Sequence, residues 1–494
     1  MGLKQKLKNN QMVAKAKIVL DEIHQNEKNP EKMKLKEYVS FALGRLSFGL
    51  IRHLSQGYRQ EFYMAAGIAP ERAGWLVFAQ TMFDAVCDPV VGSFIDKRKN
   101  NGKDRFKPFI APLVPVLGFL SIFMFFLPGF VANTQIDWQI ITYFFIAYAL
   151  WEVVNTASGV SFDAIEMVMS ADKRERTLNT TIGSFGFQLA GLIPGFIPVF
   201  LAIFVGLISQ AAFFTWTAVL FAAMGIISGM FTINLKERVA PAQKTESYFD
   251  NLRMFFKNKD LLLLWTTDIP QLISSAAGPA NAQFYTHSVG RREIQSIQWT
   301  VAGIPHFLAH GLAPFFLKRF RPSRIILFAT WANGISFILL FIIGRVIGYE
   351  SWPGIINILL FASIGWIPSG IAGIARRMLQ MNTFDYMAAK TGKRAEATSL
   401  AAFNAGSKLL WATAALLGGL ALGYIGFVQD IDGVMQVQTQ ATRDGLFTIF
   451  ALFPAIGNLL GPLPLLFYKL EGNEFDRRMA ELAAVQKEKE AVEY

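Results

Sequence analysis

Two aspartates four residues apart, Asp84 and Asp88, stand in the stretch FDAVCDPVVG, inside one of the most apolar neighbourhoods of the chain. On a helix that spacing puts both carboxylates on one face. A carboxylate near mid-bilayer costs about 2.5–3.5 kcal/mol on insertion scales, so a pair demands a partner. Two chemistries fit. The pair can hold a cation, Na+ or a proton, which removes the repulsion between like charges, or it can pair with Arg or Lys of other helices and fix packing. Arg45, Arg52 and Arg59 follow one another at intervals of seven and share roughly one helix face. They suit an anionic substrate group, neutralisation of Asp84 or Asp88, or a snorkelled place at the membrane interface. Lys408, in AFNAGSKLLWATAALLGG, is another isolated cation, set among small residues that suit a helix facing its neighbours. Asp163 and Glu166 fall late in their span and suit a gate ion pair with Arg or Lys.

The elements that must position these groups follow from composition. Of 494 residues, 53% are hydrophobic and 17% charged, against roughly a quarter charged in soluble proteins. Apolar runs of about 20 residues, the length that crosses a bilayer core, recur from Tyr38 to Tyr468. Continuous runs of this kind are helices, not the alternating strands of a membrane barrel. The reading is an all-α membrane protein with twelve transmembrane helices. Its net charge of +11 gathers in short loops such as DKRKNNGKDRFK and SADKRER, and not on a nucleic-acid-binding face. The positive-inside rule puts those loops and both termini in the cytoplasm of a multi-pass protein of the cell membrane.

A weak internal repeat sets SFDAIEMVMSADKRERT beside TFDYMAAKTGKRAEAT, and two six-helix halves repeated in parallel are the plan of the major facilitator fold. The expected organisation is a cytoplasmic extension over 1–37, a six-helix bundle over 38–234, a cytoplasmic linker over 235–259, a second six-helix bundle over 260–468 and a cytoplasmic tail over 469–494. Other classes find little support. Neither Gly-Lys pair is followed by Ser or Thr, so no phosphate-binding loop for ATP is expected. Cys87 is the single cysteine, which excludes an intrachain disulfide. His306 and His310 lack the glutamate of a zinc motif, and no catalytic triad appears, so neither a metal site nor an enzyme is expected. No organic cofactor is expected either, and the chain reads as a monomer.

FDAVCDPVVGSFIDKRKNNGKDRFKPF resembles the helix 2 and loop signature of the glycoside–pentoside–hexuronide cation symporters. YALWEVVNTASG with SADKRER resembles that family's helix 4 and following loop, and FDYMAAKTGKRAEATSLAAFNAGSK its helix 10 to 11 stretch. The resemblance runs from about residue 38 onward. It implies that Asp84 and Asp88 bind a coupling cation, that Thr156 joins them, and that Lys408 links cation and sugar sites. Cys87 takes the place of the site's asparagine; a thiol is a poor ligand for Na+, so H+ and Na+ both stay open as the coupling ion. The family's sugar-reading groups are replaced: its helix 1 acid by Leu46 and the lysine beside it by Arg45, its helix 4 acid and tryptophan by Gly159 and Asp163, its helix 5 arginine by Ser184. Arg45, Arg52, Asp163 and Ser184 are therefore the candidate substrate contacts. The expected function is cation-coupled symport of a sugar or glycoside, with an anionic, uronide-like one in view. The alternative is a lysolipid or amphiphile carrier of the same superfamily.

Overall fold

The computed structural model describes residues 29, 32–97, 104–132, 137–204, 207–239, 258–310, 312–391, 396–430 and 435–492. Most of the 1–37 extension and of the 235–259 linker lies outside the described residues. Every regular element among the described residues is helical. The principal helices are α1 (Leu35–Ala65), α2 (Pro70–Lys97), α3 (Leu113–Met124), α4 (Asp137–Val168), α5 (Lys173–Leu192) and α6 (Gln210–Gly229). They continue as α7 (Asp268–Ser275), α8 (Glu293–His310), α9 (Pro322–Ile347), α10 (Ser369–Thr391), α11 (Glu396–Tyr424), α12 (Gln440–Leu460) and the polar C-terminal α13 (Gly472–Val492). Local sequence sets the ends. Pro70 and Pro322 open α2 and α9, where a missing N–H is harmless. Gly67 and Gly348, at φ +93° and +79°, supply the left-handed turns after α1 and α9.

Among the described residues, eight segments are long and apolar enough to cross a membrane, including Trp138–Glu166, Leu178–Phe204 and Pro322–Ile347. Helices α1 and α2 stand outside that set. They carry the arginines and aspartates that drew attention in the sequence, and a charge inside a span marks a helix directed at protein or a polar cavity.

The contacts divide the chain into two compact units: Met1–Arg59 with Val86–Pro194 and Ala211–Lys244, and Gln60–Ala85 with Gly195–Gln210 and Thr245–Tyr494. Within the first, glycines seat α1 against α5 and α6. A methyl on Gly49 would lie 2.6 Å from the Ala190 side chain, and one on Gly186 would strike the Ala42 carbonyl. Ser47 Oγ donates to the Gly225 carbonyl at 2.6 Å, and Trp151 Nε1 donates to Ser121 Oγ at 2.9 Å, tying α4 to α3. Overpacking a close contact typically costs about 1–3 kcal/mol. Gly186→Val is thus expected to lower the thermal unfolding midpoint of the detergent-solubilised protein; an unchanged midpoint would mean that α1 and α5 do not meet at this glycine.

In the second unit, α2 and α11 meet through backbone. A methyl on Gly74 would lie 3.1 Å from the Ala415 carbonyl oxygen, and one on Gly419 3.0 Å from Gly74 Cα. A polar chain crosses the same unit, from Gln271 Nε2 to Asn458 Oδ1 at 2.8 Å and from Asn458 Nδ2 to Asn333 Oδ1 at 2.9 Å. Arg292 and Glu61 form an ion pair, and Gln210 Nε2 donates to the same Glu61 carboxylate at 3.0 Å.

Candidate cation and substrate site

Helical periodicity along α4 puts Tyr148, Glu152, Asn155 and Thr156 on one stripe. All four are buried. Thr156 Oγ1 lies 2.9 Å from Asp88 Oδ1 of α2 and 3.0 Å from Glu152 Oε1. Asn155 Nδ2 donates to Glu152 Oε2 at 3.1 Å, and the Tyr148 hydroxyl lies 3.4 Å from that oxygen. The Arg59 guanidinium stands over the Tyr148 ring, 4.5 Å from its centroid. Asp88 and Thr156, paired in the sequence only by resemblance, thus meet in space. Asp84 is buried one helical turn before Asp88, and Cys87, in no disulfide, is buried on the same helix. Such a set of carboxylate, hydroxyl and amide oxygens suits a hard cation or a proton. Sequence reasoning missed Glu152 and Asn155. The signal was there: Glu152 precedes Thr156 by four residues, one turn along the same face.

The candidate substrate residues divide into two kinds. Arg45 and Asp163 are engaged with each other: Arg45 Nη2 lies 2.8 Å from Asp163 Oδ1 and 2.9 Å from Glu166 Oε2. The Thr180 hydroxyl donates to Glu166, and the rings of Phe41 and Phe162 flank the guanidinium. Arg52 is different. It is half-buried, its Nε donates to Gln56 Oε1 at 3.3 Å, and its guanidinium lies 5.7 Å from the Phe48 ring centroid. No carboxylate among the described residues comes within ion-pair distance of it. Beside it, His53 packs on Phe187 at 4.8 Å between ring centroids and leaves a buried Nε2 without a hydrogen bond. On α5, Ser184 is exposed, with exposed Thr180 and Gln188 one turn to either side.

In the second unit, Lys408 is half-buried on α11, next to Ser407, whose hydroxyl donates to Asp268 Oδ2 at 3.3 Å. The other oxygen of Asp268 takes Arg376 Nη2 at 2.6 Å, and Arg376 Nη1 donates to Thr267 Oγ1 at 3.1 Å. Neither Asp268 nor Arg376 was singled out from the sequence. Their separation of 108 residues hides the pairing.

Helices throughout the described residues, eight segments of them long and apolar enough to cross a membrane, with charged groups buried among them, make this a multi-pass membrane protein. The chain belongs to the family described as MFS/sugar transport protein, which it matches over residues 40–472. It is 27% identical over 451 residues to the "Uncharacterized symporter YjmB" of Bacillus subtilis (strain 168), covering 89% of this chain and 93% of that one. A "Putative sulfoquinovose importer" of Escherichia coli (strain K12) is 24% identical, covering 90% and 92%. The "Glucuronide carrier protein homolog" of the same organism is 22% identical, covering 92% and 96%. Among solved structures, a bacterial homologue of the human lysosomal transporter Spinster superposes with a TM-score of 0.58 at 13% identity, over 92% of this chain and 99% of that one. A D-xylose–proton symporter gives 0.56 at 12%, over 86% and 96%. At such identities these two likenesses speak for the fold.

Proposed function

We propose that this chain is a cation-coupled symporter of an anionic sugar, one that carries a fixed carboxylate or sulfonate. The observation that carries the reading is Arg52: a half-buried guanidinium on α1 with a glutamine, and no carboxylate among the described residues, as its polar partner. A guanidinium presents a planar fork of N–H donors matched to oxyanions. Relatives named for sulfoquinovose and for glucuronides, both anionic sugars, support the same class. Exposed Ser184 and Gln188 on α5 suit the sugar hydroxyls. Arg45, Asp163 and Glu166 serve as a gate ion pair rather than as sugar readers.

In this mechanism a cation, H+ or Na+, binds at Asp84, Asp88 and Thr156 and neutralises carboxylates that otherwise resist rearrangement in the membrane. The substrate anion does the same for Arg52. Only with both ligands bound is the buried charge balanced, and the two six-helix halves then rock between states open to either side. Lys408 competes with the cation for the acids and so reports occupancy. The basic loops and both termini lie on the cytoplasmic side.

The test is uptake into proteoliposomes of a glucuronide, sulfoquinovose and their neutral parent sugars, under an imposed Na+ gradient and separately an H+ gradient. The expected result is accumulation of an anionic sugar with one ion and exclusion of the neutral parents. Charge-assisted hydrogen bonds contribute about 1.5–3 kcal/mol. Arg52→Gln should therefore weaken uptake of the anionic sugar by roughly ten- to a hundredfold. Equal uptake by Arg52→Gln, or accumulation of neutral sugars or of a lysolipid instead, would overturn the assignment.

A further inference from the structure

At the end of the first unit where the basic loop DKRKNNGKDRFK runs into α3, an open groove of about 440 Å³ is lined by Asp104, Lys107, Pro108, Ala111, Pro112 and Ile233. Packing explains where it lies. Further along the bundle α3 and α6 touch: a methyl on Gly229 would strike the Val114 side chain, and one on Gly118 would lie 3.0 Å from Ile226. Beyond that contact the turn Lys107–Phe109 and the start of α3 form one wall, and Ile233, in the turn Met230–Asn234 after α6, forms the other. Glu237 fastens the walls together. Its carboxylate accepts the backbone N–H groups of Arg105, Phe106 and Lys107 at 3.0, 2.7 and 3.0 Å.

The groove has a charged mouth and a hydrocarbon floor. Lys107 Nζ lies 3.7 Å from Asp104 Oδ2, wider than the ~2.7–2.9 Å of a charge-assisted hydrogen bond. Both groups therefore have room for a third partner between them. Pro108, Ala111, Pro112 and Ile233 offer only carbon, and the Ile233 residue is 66% exposed. From Pro112 an exposed apolar stripe continues along α3 through Val116, Phe119 and Phe123, the spacing of one helix face.

We propose that this groove binds a single phospholipid with an anionic, hydroxyl-bearing headgroup of the phosphatidylglycerol type. Its phosphate meets Lys107 Nζ, a headgroup hydroxyl donates to Asp104, and one acyl chain lies over Ile233 and along the α3 stripe. Charge selects the headgroup. The loop that ends at Lys107 holds six basic residues against two acidic ones, and Lys236, beside Glu237, is exposed. Basic clusters of this kind at the ends of spans attract net negative headgroups, and they repel the ammonium of a zwitterionic one. A free phosphate ester could reach Lys107 but would leave the apolar floor in water, so the lipid is the ligand that both parts of the groove fit.

Native mass spectrometry of the full-length protein, released from detergent containing equal amounts of phosphatidylglycerol and phosphatidylethanolamine, counts the lipids retained. Phosphatidylglycerol is expected to be retained in preference. Lys107→Gln should lower its retention about fivefold, the usual effect of one lysine beside anionic headgroups. Lys36→Gln, at an exposed lysine of the same unit, should leave it unchanged. Ile233→Trp fills the floor and is expected to expel the lipid. Lys107→Gln keeps its backbone N–H on Glu237, and Ile233 lies at the surface, so both variants are expected to fold. Equal retention of the two lipids, a preference for phosphatidylethanolamine, or the same loss from Lys36→Gln as from Lys107→Gln would overturn the proposal. Glycerol 1-phosphate should displace nothing; displacement would make this a phosphate site and sink the lipid assignment. The readout involves no transport, so it stands or falls apart from the sugar panel.

Discussion

Replacing Asp88 with Asn is expected to abolish concentrative uptake: the internal concentration of the transported sugar no longer exceeds the external one under any imposed ion gradient. The substitution keeps the size of the side chain and removes the charge that would attract a cation. It also replaces one carboxylate oxygen by an amide nitrogen, a donor where the site requires acceptors. Asp88 Oδ1 is the atom that Thr156 approaches, so α2 and α4 lose the carboxylate end of their shared contact. An ion gradient drives a second solute only if ion and solute stabilise the same states. A tenfold gradient of a monovalent ion is worth about 1.4 kcal/mol, and a site that has lost its ligand transmits none of it. The measurement is the ratio of internal to external radiolabelled sugar in proteoliposomes at steady state. A ratio that stays clearly above one would locate the coupling site elsewhere.

Arg292→Ala should destabilise the protein by about 3–5 kcal/mol, the usual consequence of removing one member of a buried ion pair. The side chains of Arg292 and Glu61 are 6% and 10% exposed, so the orphaned Glu61 carboxylate gains little water. Gln210 stays as a donor, at 3.0 Å, and cannot supply the missing charge. Thermal unfolding in detergent, followed by the exposure of buried Cys87 to a thiol-reactive dye, measures the loss. Replacing both members by Gln is expected to recover much of it, because no unpaired charge is then buried. A single variant that unfolds with the wild type would show that the pair carries no stability.

What was legible in the sequence was legible for a physical reason. Charges inside apolar runs are rare because they are expensive. Asp84, Asp88, Arg45, Arg52 and Lys408 therefore announced themselves, and the basic loops outlined the spans between them. Asp163 and Glu166 stood out in the same way, but Arg45 as their shared ion-pair partner had to be found in space. Glu152 went unnoticed because a stripe on α4 acquires meaning only once another helix has been laid against it. The same holds for Asp268 with Arg376 and for Glu61 with Arg292, which lie 108 and 231 residues apart. Periodicity describes one helix at a time. Which faces meet is decided by packing.

The backbone crossing at Gly74 and Gly419 bears on how fast such a carrier can work. Interlocked side chains must leave their rotamer wells before two helices can part, and each locked residue adds friction. Here two smooth surfaces touch, one on the helix of Asp84 and Asp88, the other on the helix of Lys408. Beside that backbone contact the Glu71 side chain packs on Gly423, and Gln60 Nε2 donates to the Ala415 carbonyl at 3.3 Å. A larger side chain at Gly74 or Gly419 would force these two helices apart.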